Sequence, residues 1–268
     1  METVFINPAP RLAVDHMGEG ELVVLLHGVG GQRTNWHPNM PALAANFRIA
    51  AWDARGYGDS EDVAGPRRMA DFRDDLLRVI DHFGAARTHL VGLSMGGRIA
   101  AHFHAAWPQR VASLVLCDTH LGFAHFSPEA RAAFIAKRRD PLLAGKTPAD
   151  IAPGLARTMM GDPDNTEALN ALVASMSRLR TDSYIRTVIA SVEDDQTPLL
   201  ENVAVPTLVL TGERDRLTPP ALAKQVANHI PGSELAIIEG AGHLSNIEAP
   251  NDFNRIVGTF LANISTSG

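Results

Sequence analysis

Six short runs of mostly valine, isoleucine and leucine recur along the chain, and helical patterns alternate with them. "ELVVLLHG" predicts a buried strand over 21–26, and "FRIAAWD" a second near 47–52. "RTHLVGL", "VASLVLCD", "PTLVLTG" and "ELAIIEG" predict four more. Apolar residues at Phe72, Leu76, Val79, Ile80 and Phe83 have helical spacing, and Gly84 supplies a stop. "MGGRIAAHFHAAWP", "PPALAKQVANHIPG" and "PNDFNRIVGTFLANI" read as further helices. Near-continuous apolar strands that alternate with helices imply a mostly parallel sheet covered on both faces, an α/β architecture.

The interval 121–196 breaks this rhythm, because no strand pattern occurs in it. Ser127-Pro128-Glu129 and Thr147-Pro148-Ala149-Asp150 each place a capping residue before a proline at the first helical position. Asp164-Asn165-Thr166-Glu167 resembles a capping box with Asp164 as the cap, and Thr181 is placed to cap "DSYIRTVIASVE". The expected organisation is a core of 1–120 and 197–268, with 121–196 as a helical lid over the strand ends. Only the tail 264–268 looks frayed.

Gly92-Leu93-Ser94-Met95-Gly96 follows one strand and precedes a helix. G-x-S-x-G in that context is a nucleophile elbow. A sharp strand-to-helix turn strains the serine backbone, and side chains two residues away on either side would collide, so glycine is needed there. The turn would lift the Ser94 hydroxyl above the sheet edge. It would also put the Met95 N–H at a helix N-terminus, where developing negative charge is favoured.

A serine hydroxyl needs a base, and the base needs a third group to orient it. His243 follows "ELAIIE" through a Gly-Ala-Gly loop, and Asp215 follows "PTLVL". The order Ser94, Asp215, His243 is the order expected after such an elbow. Asp118 also ends a strand and is the alternative acid. His27 and Asp53 are expected to shape their loops, His102 and His104 to be ordinary helix residues, and His120 lies near another strand end. The glycine-rich "HGVGG" is placed to supply a second oxyanion donor beside Met95. By position that donor is Val29, with Gly30 as the alternative.

Other chemistries lack support. No H-E-x-x-H occurs, and the single cysteine, Cys117, cannot build a thiolate cluster or an internal disulfide. Cys117 is expected to be a buried structural thiol. No G-x-G-x-x-G follows a strand and no Walker loop is present, so nucleotide binding is not expected. Net charge is −6 with both signs mixed, which argues against nucleic acid or an anionic membrane as partner. Neither a signal-peptide pattern nor an apolar run of about 20 residues occurs, so a cytoplasmic protein is expected.

"LLHGVGG", "WDARGYGDS", "GLSMGG", "LVLTGERD" and "GAGHLSNIEAP" together resemble the α/β-hydrolase superfamily, on both sides of the interval. "GLSMGG" with "GHLSNIEAPNDF" is most similar to the branch of 3-oxoadipate enol-lactonases and small carboxylesterases. The resemblance implies a cofactor-free hydrolase of a small ester or lactone, acting through an acyl-enzyme. Those lactonases carry a tryptophan in the lid, whereas Trp36, Trp52 and Trp107 all lie outside 121–196 here. The particular lactone therefore does not follow. C–C bond hydrolysis or perhydrolysis on the same triad, and a ligand-binding receptor with a slow triad, are the alternatives. Phe123, Phe126, Phe134, Met159, Met160, Met176 and Tyr184 give the lid apolar material, and Asp164 and Glu167 balance Arg157. Small, mostly apolar esters or lactones are accordingly expected to outperform dicarboxylates.

Overall fold

The computed structural model describes residues 1–123, 126–195 and 197–265. Eight strands form one sheet: β1 (Glu2–Ile6), β2 (Leu12–Met17), β3 (Leu22–Leu26), β4 (Arg48–Trp52), β5 (Thr88–Leu93), β6 (Val111–Cys117), β7 (Thr207–Gly212) and β8 (Glu234–Ile238). Their order is β1-β2-β4-β3-β5-β6-β7-β8. From β4 through β8 every pairing is parallel, and β1 and β2 add antiparallel strands at one edge.

The central strands are apolar on both sides because both sides are covered. Val24, Leu26, Leu90, Leu114 and Val209 pack with Phe72, Leu76, Ile99, Phe103 and Val226 from the helices Met69–His82, Met95–Ala106 and Pro220–Asn228. Val23, Leu25, Val91, Val115 and Leu208 point the other way, onto Phe253, Val257 and Leu261 of the helix Pro250–Ser265. Alternate residues of one strand thus feed opposite cores, as the two-residue period of a strand requires.

β1 and β2 lie outside the sequence expectation. β2 buries Asp15, and a buried carboxylate breaks the apolar pattern by which the other strands are read. Its charge is met by Arg33 Nε at 2.9 Å, the Thr3 hydroxyl at 2.6 Å and His37 Nε2 at 2.8 Å. Together these partners hold the carboxyl well below the ordinary range despite burial.

Between β6 and β7 run five described helices: Pro128–Leu143, Pro148–Met159, Thr166–Ser177 and Thr181–Glu193 form the insertion, and the short Thr197–Leu200 follows it. A single antiparallel bridge, Gly122 to Asp195, joins the two ends of this insertion. Ser127 and Thr147 cap as expected, accepting from the N–H groups of Ala130 at 3.2 Å and Asp150 at 3.3 Å. Two expectations need correction. Asn165, not Asp164, caps the third helix, and Thr181 is already its helix's first residue, after Arg180. Residue 196, the expected end of the lid, lies outside the described residues, as do 266–268 of the tail. Ile264 and Ser265 belong to the last helix.

Candidate active site

In a parallel sheet the strands' C-terminal ends open on one edge, where ligands of such sheets bind. Ser94 follows β5, Asp118 follows β6, Asp215 follows β7 and His243 follows β8, while the loop after β3 carries Val29. Ser94 has φ 54° and ψ −114°, one of two described non-glycine residues with positive φ. Its amide donates to Cys117 O at 2.8 Å, which ties the elbow to the neighbouring strand. A Cβ on Gly92 would strike the Gly96 backbone, and one on Gly96 would strike the Leu26 carbonyl. These contacts explain both glycines of the pentapeptide. A Cβ on Gly28 would stand 3.1 Å from Ser94 Cβ, so the loop after β3 lies against the serine.

His243 Nδ1 lies 2.8 Å from Asp215 Oδ2, and both side chains are buried. Thr218 extends the pair: its hydroxyl donates to Asp215 Oδ2 at 2.5 Å and lies 3.1 Å from His243 Nδ1. Asp215 Oδ1 accepts the amides of Leu217 at 2.7 Å and Thr218 at 2.9 Å. Burial would push the Asp215 carboxyl up, but His243 and these donors hold it below its ordinary value. Burial alone would lower the His243 pKa, yet the Asp215 carboxylate more than offsets that and raises it.

Asp118 is engaged elsewhere. Its carboxylate accepts from the Gly212 amide at 2.8 Å and the Ser245 hydroxyl at 2.5 Å, which braces the turns that carry the acid and the histidine. Burial, with repulsion from Asp215 second, pushes its pKa up to about 7.

The other histidines divide. His27 donates from Nδ1 to the Gly28 carbonyl at 2.8 Å and accepts the Ala54 amide on Nε2 at 3.0 Å, so both ring nitrogens serve the loop. Asp53 likewise holds a loop, taking the amides of Arg33 at 2.7 Å and Asp59 at 2.9 Å. His102 pairs with Asp194 at 2.8 Å, and His104 is buried in its helix. His120 faces the cavity, where burial, reinforced by Arg98, lowers its pKa to about 4. Cys117 is buried, and burial raises its thiol pKa well above the ordinary value. Among the described residues no group of three or more His, Cys, Asp or Glu could hold a metal ion, and no helix is long and apolar enough to cross a membrane.

A cavity of about 140 Å³ opens over Ser94 and His243. That volume accepts a group roughly the size of benzene. A second space, of about 20 Å³, also reaches Ser94 and His243, between His27, Trp36 and Asn246. Val29 and Met95 line the larger cavity, whereas the Gly30 carbonyl accepts the Ser175 hydroxyl at 2.9 Å. The insertion contributes Phe123, Phe126, Phe134, Met159 and Tyr184 to the cavity wall, while Met160 and Met176 sit in the core. Two cations join this apolar material in the wall. Arg98 and Arg138 both line it, whereas Arg157 is exposed.

Thr218, Arg98 and Arg138 carry no role in the sequence reading. Thr218 left a faint signal, a hydroxyl three residues after Asp215, the spacing of a local turn. Arg138 left none, since "AKRRD" reads as a solvated helix face.

These features coincide with a known class. Residues 21–250 match the model of the alpha/beta hydrolase fold, and the chain belongs to that family. Over 94% of its length it is 30% identical to a 2-hydroxy-6-oxononadienedioate/2-hydroxy-6-oxononatrienedioate hydrolase of Klebsiella pneumoniae, of which it covers 91%. It superposes with TM-score 0.89 on a thermophilic esterase from Thermogutta terrifontis, at 29% identity over 98% of this chain and 99% of that one. The enol-lactonase of Burkholderia xenovorans gives TM-score 0.87 at 26% identity, over 97% of this chain and 100% of that one. The chain is thus a hydrolase by family.

Proposed function

We propose that this protein is a cofactor-free serine hydrolase that cleaves a small carboxylic ester or lactone. The observation that carries this reading is the 2.8 Å pair of His243 and Asp215, which opens on the same cavity as Ser94 at its strained turn. Ser94 Oγ attacks the carbonyl carbon while His243 Nε2 takes the hydroxyl proton. Asp215 fixes the Nδ1–H tautomer and stabilises the imidazolium. The N–H groups of Met95 and Val29 bind the tetrahedral oxyanion; that of Met95, as the first residue of its helix, has no partner within the helix. His243 then protonates the leaving alcohol, and water activated by the same nitrogen releases the acid from Ser94. In this reading the insertion 121–196 is the lid, because its phenylalanines and Met159 wall the space above Ser94.

A second reading is hydrolysis of a carbon–carbon bond in a dienone on the same three residues. Its support is the 30% identity to the Klebsiella pneumoniae hydrolase over nearly the whole chain. One panel separates the two: 4-nitrophenyl acyl esters of increasing length, several lactones and a 2-hydroxy-6-oxo-dienoate, each run with Ser94→Ala. Ester or lactone turnover that vanishes with Ser94, together with a Ser94-bound acyl adduct by intact mass, supports the first. Turnover of the dienoate alone supports the second. Wild-type rates in folded Ser94→Ala would overturn both.

A further inference from the structure

Arg138 is a cation in a place that should not hold one. It lies on the insertion helix Pro128–Leu143, is 8% exposed, and lines the cavity over Ser94. Its neighbours in sequence, Lys137 and Arg139, keep contact with solvent. A guanidinium has five N–H donors in a planar fork. Here one nitrogen donates to the Phe134 carbonyl at 3.2 Å, and the Tyr184 hydroxyl is close enough to act on its charge. The guanidinium carbon stands 3.4 Å over the centre of the Phe134 ring. These contacts are all with neutral groups, and no described carboxylate pairs with Arg138. Arg98, on the same cavity, is different: Asp194 neutralises it at 2.9 Å, and the Ser191 hydroxyl accepts from it at 2.7 Å. The other described ionisable groups at the cavity are His120, His243 and Tyr184.

Burying a charge is costly unless an opposite charge meets it. The protein meets the charge of Arg98 from within and leaves that of Arg138 to the cavity. Phe123, Phe134, Val188 and Leu222 make much of the rest of the wall apolar, and the polar groups beside them, such as Ser191 and Thr218, carry no negative charge. The geometry points to a substrate that carries one carboxylate, which Arg138 binds through its fork while the scissile carbonyl lies at Ser94. One uncompensated cation in a cavity of about 140 Å³ selects a short, singly charged acyl ester or lactone rather than a dianion or a long neutral chain. The proposal rests on the esterase reading for the position of the scissile bond; the anion site itself stands on the burial and pairing of Arg138.

Two measurements keep those apart. The first uses 4-nitrophenyl hemiesters of succinic, glutaric and adipic acid, each beside its neutral ω-methyl ester. Wild-type kcat/KM is expected to favour one charged member over its neutral twin by roughly 10- to 100-fold, the worth of a hydrogen bond to a buried charge. In Arg138→Met that ratio is expected to fall to about one, and in Arg138→Lys to an intermediate value. A merely structural arginine would lower both members of a pair alike and leave the ratio where it was. The second measurement needs no turnover: calorimetric binding of glutarate monoamide and of neutral glutaramide to Ser94→Ala, with and without Arg138→Met. Carboxylate-selective binding that disappears with Arg138 upholds the site even if no ester is cleaved. Equal binding of the two ligands, or a charged-to-neutral ratio unchanged in folded Arg138→Met, overturns it. Loss of all ester turnover with binding intact overturns the esterase reading alone.

Discussion

The backbone N–H of His243 donates to the carbonyl of Met159 at 2.8 Å. Met159 ends an insertion helix, and His243 sits in the loop after β8, so the imidazole's own backbone is braced by chain from between β6 and β7. Glu248 reinforces the contact, accepting the amides of Gly161 at 2.8 Å and Gly242 at 3.0 Å. The insertion and the loop that carries His243 are therefore one packed unit at this point.

That packing has no room for a methyl group. A Cβ on Gly161 would fall on the backbone of Ala241 and Gly242. Gly161→Ala is expected to cost about 1–3 kcal/mol of stability, the range for overpacking a rigid site. It is also expected to lower kcat, because the loop that moves carries the base. Thermal melting together with steady-state kinetics checks this, and wild-type kcat in an equally stable variant would refute the coupling.

Asp215 and Asp118 should separate cleanly. Asp215→Asn offers His243 Nδ1 an amide where a carboxylate stood, and kcat should drop by roughly 10³–10⁴ as in other triads. Asp118 holds Gly212 and Ser245 rather than the imidazole, so Asp118→Asn should reduce kcat far less. Matched kinetics with the reverse ranking would move the acid to β6.

Thr218→Val removes a 2.5 Å donor to the Asp215 carboxylate at nearly constant volume. A hydrogen bond to a charged group is worth about 1.5–3 kcal/mol. The expected result is a fall in kcat of roughly 10- to 100-fold, with restoration in Thr218→Ser. A valine variant as fast as wild type would remove Thr218 from the set of positioning residues.

The pH profile follows from the sign of the His243 shift. The base acts only when neutral, and Asp215 holds the imidazole pKa above its ordinary value of about 6.5. Activity should therefore be lost as pH falls through a value higher than about 6.5, and kcat/KM should still be rising at that pH. Asp118 also raises this pKa by its charge, so Asp118→Asn should move the inflection to lower pH. An acid limb centred well below 6, with chemistry limiting, would contradict the assignment of the base.

The sequence alone determined much of the frame. Parallel strands buried on both faces must be apolar throughout, so β3 to β7 are visible as apolar runs; β8 reads the same way although it is an edge strand with Leu235 and Ile237 exposed. The elbow is equally legible, because its steric demand falls on residues adjacent in the chain, Gly92 and Gly96 around Ser94. Asp215 and His243 could be picked out because each follows a readable strand.

Tertiary structure decided what depends on contact across the chain. β2 was hidden because Asp15 is tolerable only once Arg33, Thr3 and His37 surround it. The choice of Asp215 over Asp118 is a matter of which carboxylate reaches Nδ1, and both follow apolar strands in the same way. Arg138 lies in a run of charges that predicts solvent, yet its helix turns it onto the cavity beside Tyr184. Local pattern records what neighbouring residues require of one another. The charge of a cavity wall depends on which distant helices close over it, and only the folded chain sets that.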